Sequence, residues 1–148
     1  MPHLLGDPVI RLLVVVYLLL VFKMAAVGSY TSVLRLRRRV YATPEDYALQ
    51  GLARRSTVDE DIERVRRAHR NDLENILPFF VVGFLFVLTG PSYTAAAVYL
   101  IGYLVVRTLH TVFYIAGLQP HRTIAFAAGG VLTLAMLVQT LVAVARAG

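Results

Sequence analysis

Residues 63–78 read ERVRRAHRNDLENILP and pass without interruption into the apolar run FFVVGFLFVL at 79–88. A helix with this composition carries ionisable side chains up to an apolar segment, where an unpaired charge is costly. Such a placement predicts a polar site. We therefore expect the other segments of the chain to pack against this helix and to supply the remaining residues of the site.

The chain is too apolar for an ordinary soluble domain, since 57% of its 148 residues are hydrophobic and 16% are charged. Its apolar blocks are 9–33, 76–88, 93–115 and 124–145. A bilayer core needs about 20 apolar residues per helix, and the second block reaches that length only with its polar upstream part. The sequence predicts one domain over 1–148, an all-α integral membrane four-helix bundle. We expect its helices at about 8–34, 58–89, 93–117 and 122–146, with a loop at about 35–57.

The formal charge of +6 is concentrated in arginines between the first two spans. Basic loops stay on the cytoplasmic side of a membrane, so this loop is predicted to be cytoplasmic and both termini to lie on the opposite side. A bacterial inner membrane and an endoplasmic reticulum membrane both fit. Because this rule explains the charge, we expect no nucleic-acid partner. Lys23 lies inside the first span and is expected to snorkel or to face a neighbouring helix.

Local signals place the helix ends. Asp7-Pro8 starts the first span, and Thr43-Pro44 starts a short helix or turn in the loop. Thr57 with Glu60 three residues later forms a capping-box pattern for the second span. Pro78 is expected to kink that span.

The second span carries a polar face whose members fall at i, i+3, i+4 and i+7: Arg67, Arg70, Asn71 and Glu74. Residues at this spacing lie on one side of a helix. Asp72 is expected more to the side. A solvated face with i,i+4 salt bridges is the alternative. Against it, Asn71 and Glu74 lie within one or two turns of a fully apolar segment and need partners inside the bundle.

The third span has a matching face formed by Arg107, His110 and Tyr114, at i, i+3 and i+7. The alternative for Arg107 is an ion pair with an acid of the second span, Glu74 or Asp72. Together the three residues favour a polar cavity at the depth of Asn71 and Glu74.

Arg122 and Thr123 stand at the start of the fourth span, where exposed helix N–H groups and a guanidinium favour an anion or a thiolate. A topology arginine beside a helix cap is the alternative there. The arginines can bind carboxylates, Glu74 can bind an amine, and Asn71, His110 and Tyr114 can bind a peptide-like body. The inventory suits a small, zwitterionic, polyanionic ligand.

The sequence lacks the residues that several kinds of catalytic or metal site require. The chain has no cysteine, so a thiol has to come from a ligand. His69 and His110 lack a third ligand at metal-site spacing, and we predict no metal site. The motifs of zincins, serine hydrolases and nucleotide-binding loops are absent.

The run from Glu63 to Phe79 resembles the signature of the MAPEG family, the membrane-associated proteins in eicosanoid and glutathione metabolism. Within it the chain is similar to the branch of microsomal glutathione transferases and prostaglandin E synthases. The supporting motifs occur in the same order: KM at 23–24, RLR at 35–37, ATPED at 42–46, GP at 90–91, RTLHTV at 107–112 and QPHR at 119–122.

The resemblance implies a homotrimer that binds glutathione between neighbouring subunits near the cytoplasmic face. It implies a glutathione transferase acting on lipophilic electrophiles from the membrane, with peroxidase activity as an accompanying expectation. A prostaglandin-E-synthase-like isomerase and a non-catalytic membrane scaffold are the alternatives. By the resemblance, the glutathione site is lined by Arg70, Asn71, Glu74, His110 and Tyr114, with Arg35 from the neighbouring subunit. Arg122 would stabilise the thiolate, and Thr123 stands where the synthases have a serine.

The chain departs from both halves of that branch. Phe126 stands where the synthases have a tyrosine, and Gln119-Pro120 before Arg122 has the transferase form. Arg70 matches the synthases, and so does Asp46, which is implicated in the isomerase. The first two features favour the transferase and the last two the isomerase.

Overall fold

A computed structural model describes residues 4–53 and 58–148. A short 3-10 helix at Leu4–Gly6 precedes five α-helices, which are α1 (Pro8–Arg38), α2 (Pro44–Leu49), α3 (Glu60–Leu88), α4 (Tyr93–Ala116) and α5 (His121–Ala147). No strand occurs in the described ranges. Helices α1, α3, α4 and α5 are each long and apolar enough to cross a membrane, with mean hydropathies of 2.4, 1.5, 1.5 and 2.0 over an 18-residue segment of each. The all-α, membrane-spanning prediction is confirmed.

Helix α1 begins as its sequence predicts. The Asp7 carboxylate accepts hydrogen bonds from the backbone N–H groups of Val9 (2.7 Å) and Ile10 (3.3 Å), which satisfies two donors of the first turn. The helix continues four residues beyond its expected end at 34. It stops where Arg39 adopts a left-handed conformation with φ 53°. Arg35 therefore lies on the helix and not in the following loop.

The start of α3 differs from the prediction. Thr57 lies outside the described residues, and the residue that caps the helix is Asp59, whose Oδ1 accepts from the backbone of Asp61 and Ile62, both at 3.1 Å. The capping-box prediction depends on Thr57 and therefore stays a prediction, while the acceptor observed at the start of α3 is the Asp59 carboxylate. In the loop, Thr43 caps the short helix α2 as predicted, accepting from Asp46 N at 3.3 Å.

The core lies where α1, α3, α4 and α5 pack together. At its centre the rings of Phe79 (α3) and Tyr103 (α4) stack 3.6 Å apart, inclined by 3°. The Tyr103 hydroxyl donates to the Asn75 carbonyl at 2.9 Å. Arg107 lies one turn further along α4 than Tyr103, so the apolar core passes directly into a polar layer.

Helices α1 and α3 approach closely at a glycine. The Tyr17 hydroxyl donates to the carbonyl of Phe80. A β-carbon built at Gly83 would stand 2.5 Å from that hydroxyl oxygen. Only a glycine allows α1 this close, which fixes how α3 is set against α1.

Candidate functional site

The polar layer is centred on Asp72, which is fully buried between three helices. Its Oδ1 lies 2.8 Å from Lys23 Nζ on α1 and 3.3 Å from Arg107 Nη2 on α4. The Thr111 hydroxyl lies 3.2 and 3.1 Å from its two oxygens. Asp72 lies to the side of the face that carries Arg67, Arg70 and Glu74, as the sequence predicts, and on that side it contacts both cations. A carboxylate inside a membrane bundle has to be paired in this way. The expectation that Lys23 faces a neighbouring helix is confirmed, and so is the alternative reading in which Arg107 pairs with an acid of the second span.

Arg107 also fixes Asn71. Its Nη2 donates to the Asn71 backbone carbonyl at 2.7 Å and to Asn71 Oδ1 at 2.6 Å. The amide oxygen of Asn71 is thereby occupied, which leaves the amide nitrogen as the donor for a ligand. Arg107 Nε is buried and has no hydrogen-bond partner among the described residues. A buried orphan donor of this kind calls for a partner.

His110 lies one turn beyond Arg107 on α4 and is also buried. Its ring centroid is 5.6 Å from that of Tyr114 and 5.8 Å from that of Phe126 on α5. His110 Nδ1 is buried, and no residue in the described ranges hydrogen-bonds to it. The three predicted residues of the third span therefore do form one continuous face.

The turn from α4 to α5 holds Arg122 against that face. The guanidinium carbon of Arg122 lies 4.6 Å from the centroid of the Tyr114 ring, a cation–π contact. With the Gln119 amide assigned by its hydrogen bonds, its oxygen accepts from Arg122 Nε (3.1 Å) and Nη2 (2.6 Å), and its nitrogen donates to Thr123 Oγ1 (2.9 Å). In this arrangement the Thr123 hydroxyl hydrogen is left to donate elsewhere. Gln119 thus orients both residues predicted to act on a thiol.

The start of α5 adds to the positive potential of this turn. No side chain of the described residues caps α5, whose N-cap position is taken by Pro120. The Arg122 N–H donates to the Leu118 carbonyl at 3.1 Å, so the positive end of the α5 dipole and the Arg122 guanidinium lie at the same turn. This environment favours a bound anion.

A cleft of about 250 Å³ opens beside Arg107 between α3, α4 and α5. Glu74 and Arg107 give it a charged end. The rest of its wall is mostly apolar and comes from Asn75, Pro78, Tyr103, Gly129, Gly130, Thr133, Leu134 and Leu137. The cleft therefore combines a charged end at Glu74 and Arg107 with an apolar wall that can contact an apolar group.

Four predicted site residues lie further out. Arg67 is exposed, with Nη2 3.9 Å from Glu60 Oε2, and Arg70 and Glu74 are exposed on the same side of α3. Arg35 lines a separate cleft of about 170 Å³ with residues of the α1–α2 connection, among them Tyr41 and Thr43. A single chain therefore brings Asn71, Arg107, His110, Tyr114 and Arg122 into one layer, and it does not bring Arg35 there.

Sequence reasoning gave too little weight to the residues that hold the site together. Lys23 had a signal, because a lone charge inside an apolar span needs a partner at the same depth. Thr111 and Gln119 had none, since a threonine or glutamine near a helix end is common. Their roles follow only from the contacts to Asp72 and to Arg122.

Comparison with known proteins agrees with this geometry. The model of the MAPEG family matches residues 13–142. Microsomal glutathione S-transferase 1 of Rattus norvegicus is 42% identical over 119 residues, which cover 77% of this chain and 77% of the relative. Prostaglandin E synthase of Mus musculus is 42% identical over 102 residues (69% and 67%), and that of Homo sapiens is 38% identical over 129 residues (86% and 85%). The chain therefore belongs to the MAPEG family.

Proposed function

We propose that this protein is a membrane-bound glutathione transferase that uses the thiolate of glutathione to attack lipophilic electrophiles. Two observations support the proposal. Relatives about 40% identical over most of the chain are named microsomal glutathione S-transferase 1. The polar layer in which the buried Arg107 and His110 lie with Asn71 next to Arg122 is the observation in this chain that carries it.

The donors and acceptors of the layer fit the parts of glutathione. Guanidinium groups bind carboxylates in bidentate geometry, and Arg70 and Arg107 are available for its two carboxylates. Glu74 can accept from the ammonium group. The amide nitrogen of Asn71 and His110 Nδ1 can pair with peptide groups, which for His110 Nδ1 would satisfy an atom that is otherwise buried without a partner among the described residues.

Glutathione would supply the sulfur nucleophile, and the turn before α5 would hold its negative charge. Arg122 provides a fixed positive charge, Thr123 a hydroxyl donor, and α5 the positive end of its helix dipole. Such surroundings lower a thiol's pKa, so that the reactive thiolate forms at neutral pH. In conjugation the sulfur forms a bond to the electrophilic carbon, and the leaving group departs with its electron pair. Reduction of a lipid hydroperoxide by the same thiolate is the proposed peroxidase activity.

The site is completed, in this proposal, by a second copy of the chain. Arg70 and Glu74 are exposed on a single chain, and Arg35 lies in another cleft, so a neighbouring subunit of a homotrimer would bring Arg35 to them. The site would face the cytoplasm with both termini on the opposite side, because the arginines between α1 and α3 favour that orientation. A bacterial inner membrane and an endoplasmic reticulum membrane both satisfy this topology.

The test uses purified protein in detergent with glutathione and chlorodinitrobenzene across a range of pH. We expect thiolate absorbance on glutathione binding and formation of the conjugate. Absence of both signals would contradict the transferase proposal. The Glu74→Gln variant should weaken glutathione binding more than it weakens thiolate formation, because Glu74 lies away from the Arg122 turn.

A second candidate function is isomerisation of a prostaglandin endoperoxide with glutathione as cofactor. It is favoured by the relatives named prostaglandin E synthase and by Asp46, which lines a cleft of about 340 Å³ together with Arg35. Product analysis separates the two reactions, since conjugation and peroxidase activity consume glutathione and isomerisation does not. A non-catalytic scaffold would show no glutathione binding in calorimetry.

A further inference from the structure

Three charged side chains from three helices meet inside the membrane-spanning bundle. Asp72 is 0% exposed, Arg107 is 1% exposed, and the side chain of Lys23 is 12% exposed. Both cations contact the same carboxylate oxygen, Asp72 Oδ1. One negative charge therefore faces two positive charges, and the cluster carries an excess of one positive charge.

The other groups around the cluster do not remove this excess. Asn71 and Thr111 are neutral partners, and His110 lies one turn away on α4. From α5, the cleft beside Arg107 receives glycines, a threonine and leucines. Glu74 lines the same cleft, but within the described ranges it forms no ion pair with Arg107. An unneutralised charge at this depth attracts a further anion.

The distances indicate which cation is left short of a counter-ion. Lys23 Nζ is 2.8 Å from Asp72 Oδ1, whereas Arg107 Nη2 is 3.3 Å from it. The shorter contact belongs to the lysine. Arg107 also has an orphan Nε and borders the cleft, so it is the cation that a ligand can approach.

We infer that Lys23 is a positioning residue for the anionic ligand of this site. By sharing Asp72 it leaves Arg107 incompletely neutralised, and Arg107 then takes a carboxylate of the ligand as its second counter-ion. Lys23 acts through Asp72 and Arg107 from the far side of the bundle and does not contact the ligand. The inference rests on the proposed function, since it takes glutathione to be the ligand.

The test is the Lys23→Met variant of the full-length protein, which keeps the length of the side chain and removes its charge. Asp72 and Arg107 would then neutralise each other. Because Lys23 contacts Asp72 and Asp72 contacts Arg107, Lys23 Nζ lies within about 10 Å of a carboxylate bound to Arg107. At this distance and an effective permittivity near 20, losing the charge of Lys23 weakens the binding of that carboxylate roughly tenfold. We expect calorimetry to show a rise of about tenfold in the Kd for glutathione, with the melting temperature and the KM for the electrophile close to those of the parent protein. Lys23→Arg should restore the affinity.

The matched control is Arg11→Met, which removes one positive charge from the same helix about 18 Å away. It should leave the Kd for glutathione unchanged. The Kd values of two glutathione analogues provide a further measurement, which would not respond selectively if Lys23 had a purely structural role. In one analogue the glycine carboxylate is esterified, and in the other the carboxylate of the γ-glutamyl group is missing. The analogue that lacks the carboxylate held by Arg107 should lose much less affinity in Lys23→Met than glutathione does.

An unchanged Kd for glutathione in Lys23→Met would overturn the inference. So would equal losses for glutathione and both analogues, or a loss of affinity that Lys23→Arg does not restore. If Lys23→Met does not fold, Lys23→Gln provides the same comparison with a side chain that can still donate to Asp72. If the parent protein binds no glutathione at all, the proposed function fails. If the parent protein binds glutathione and the Lys23→Met variant binds it equally well, only the inference about Lys23 fails.

Discussion

Individual arginines of this site differ in their surroundings, and the surroundings assign their roles. Arg107 is buried and tied to Asp72 and Asn71, so it can hold a ligand in one fixed position. Arg122 is half-buried, lies over the Tyr114 ring and is oriented by Gln119. The first environment suits binding and the second suits a charge that develops on sulfur.

Arg122→Ala is therefore expected to abolish most turnover while keeping the Kd for glutathione within about tenfold, because the group would act mainly on the thiolate. Calorimetry and conjugation assays measure the two quantities on one preparation. Gln119→Ala is a companion variant that should shift the pH profile of thiolate formation to higher pH by releasing Arg122. If Arg122→Ala lost binding and turnover to the same degree, Arg122 would merely anchor a carboxylate.

Gly83 allows a second test at this scale. Gly83→Ala places a methyl group against the Tyr17 hydroxyl, and overpacking of this kind costs about 1–3 kcal/mol of unfolding free energy. Gly130→Ala is the matched control, because nothing lies within 4 Å of a β-carbon built there. Thermal unfolding should separate the two variants, and adding Tyr17→Phe to Gly83→Ala should recover part of the loss. Equal melting temperatures for both alanine variants would contradict the close approach.

At the scale of the helices, the ends of α1 and α3 are joined by charge. The Arg38 guanidinium donates to both oxygens of Asp59 at 2.8 and 2.9 Å and to Asp61 Oδ2 at 2.7 Å. Asp59 also caps α3. These contacts hold the end of the helix that carries Arg35 against the start of the helix that carries Asn71.

The pKa of Asp59 should report this contact. The hydrogen bond from Arg38, and next that from the Ile62 backbone, holds the pKa of Asp59 below its ordinary value. A depressed carboxyl pKa stabilises the folded state above the unfolded pKa of about 3.9, and this contribution is lost as pH falls through the lower folded value. Carboxyl NMR titration should therefore give a low midpoint for Asp59. Arg38→Gln should raise it, whereas Arg37→Gln, which removes a charge from the same helix end, should leave it unchanged.

At the scale of the whole molecule, the proposed site is divided between chains. Arg35 and Glu74 would belong to different subunits of one site. In a mixed trimer of Arg35→Ala and Glu74→Gln chains, one site in three would then combine two intact partners.

Mixed trimers of these two variants should consequently have about one third of the parent activity, although each variant alone is nearly inactive. Differently tagged chains allow the mixed trimers to be purified before the assay. A mixture that is no more active than the separate variants would show that Arg35 serves the site of its own chain or none.

The sequence by itself determined the four apolar spans and the helical faces, and it supplied the hypothesis of a small anionic ligand. Apolar length, helical periodicity and the distribution of arginines are properties of neighbouring residues, so they can be read along the chain. Arg107, His110 and Tyr114 share a face in the structure for the same reason that the sequence predicts it, because 3.6 residues complete a turn.

Only the tertiary structure decided which charges neutralise each other. Asp72 lies to the side of the predicted polar face, as expected, and the packing of α1 and α4 against α3 places it between Lys23 and Arg107, residues 49 and 35 positions away in the chain. Asp59 caps α3 within a junction that also includes Arg38 of α1. Ion pairs between helices depend on rotation and depth in the bundle, which the packing of whole helices sets and no local pattern encodes.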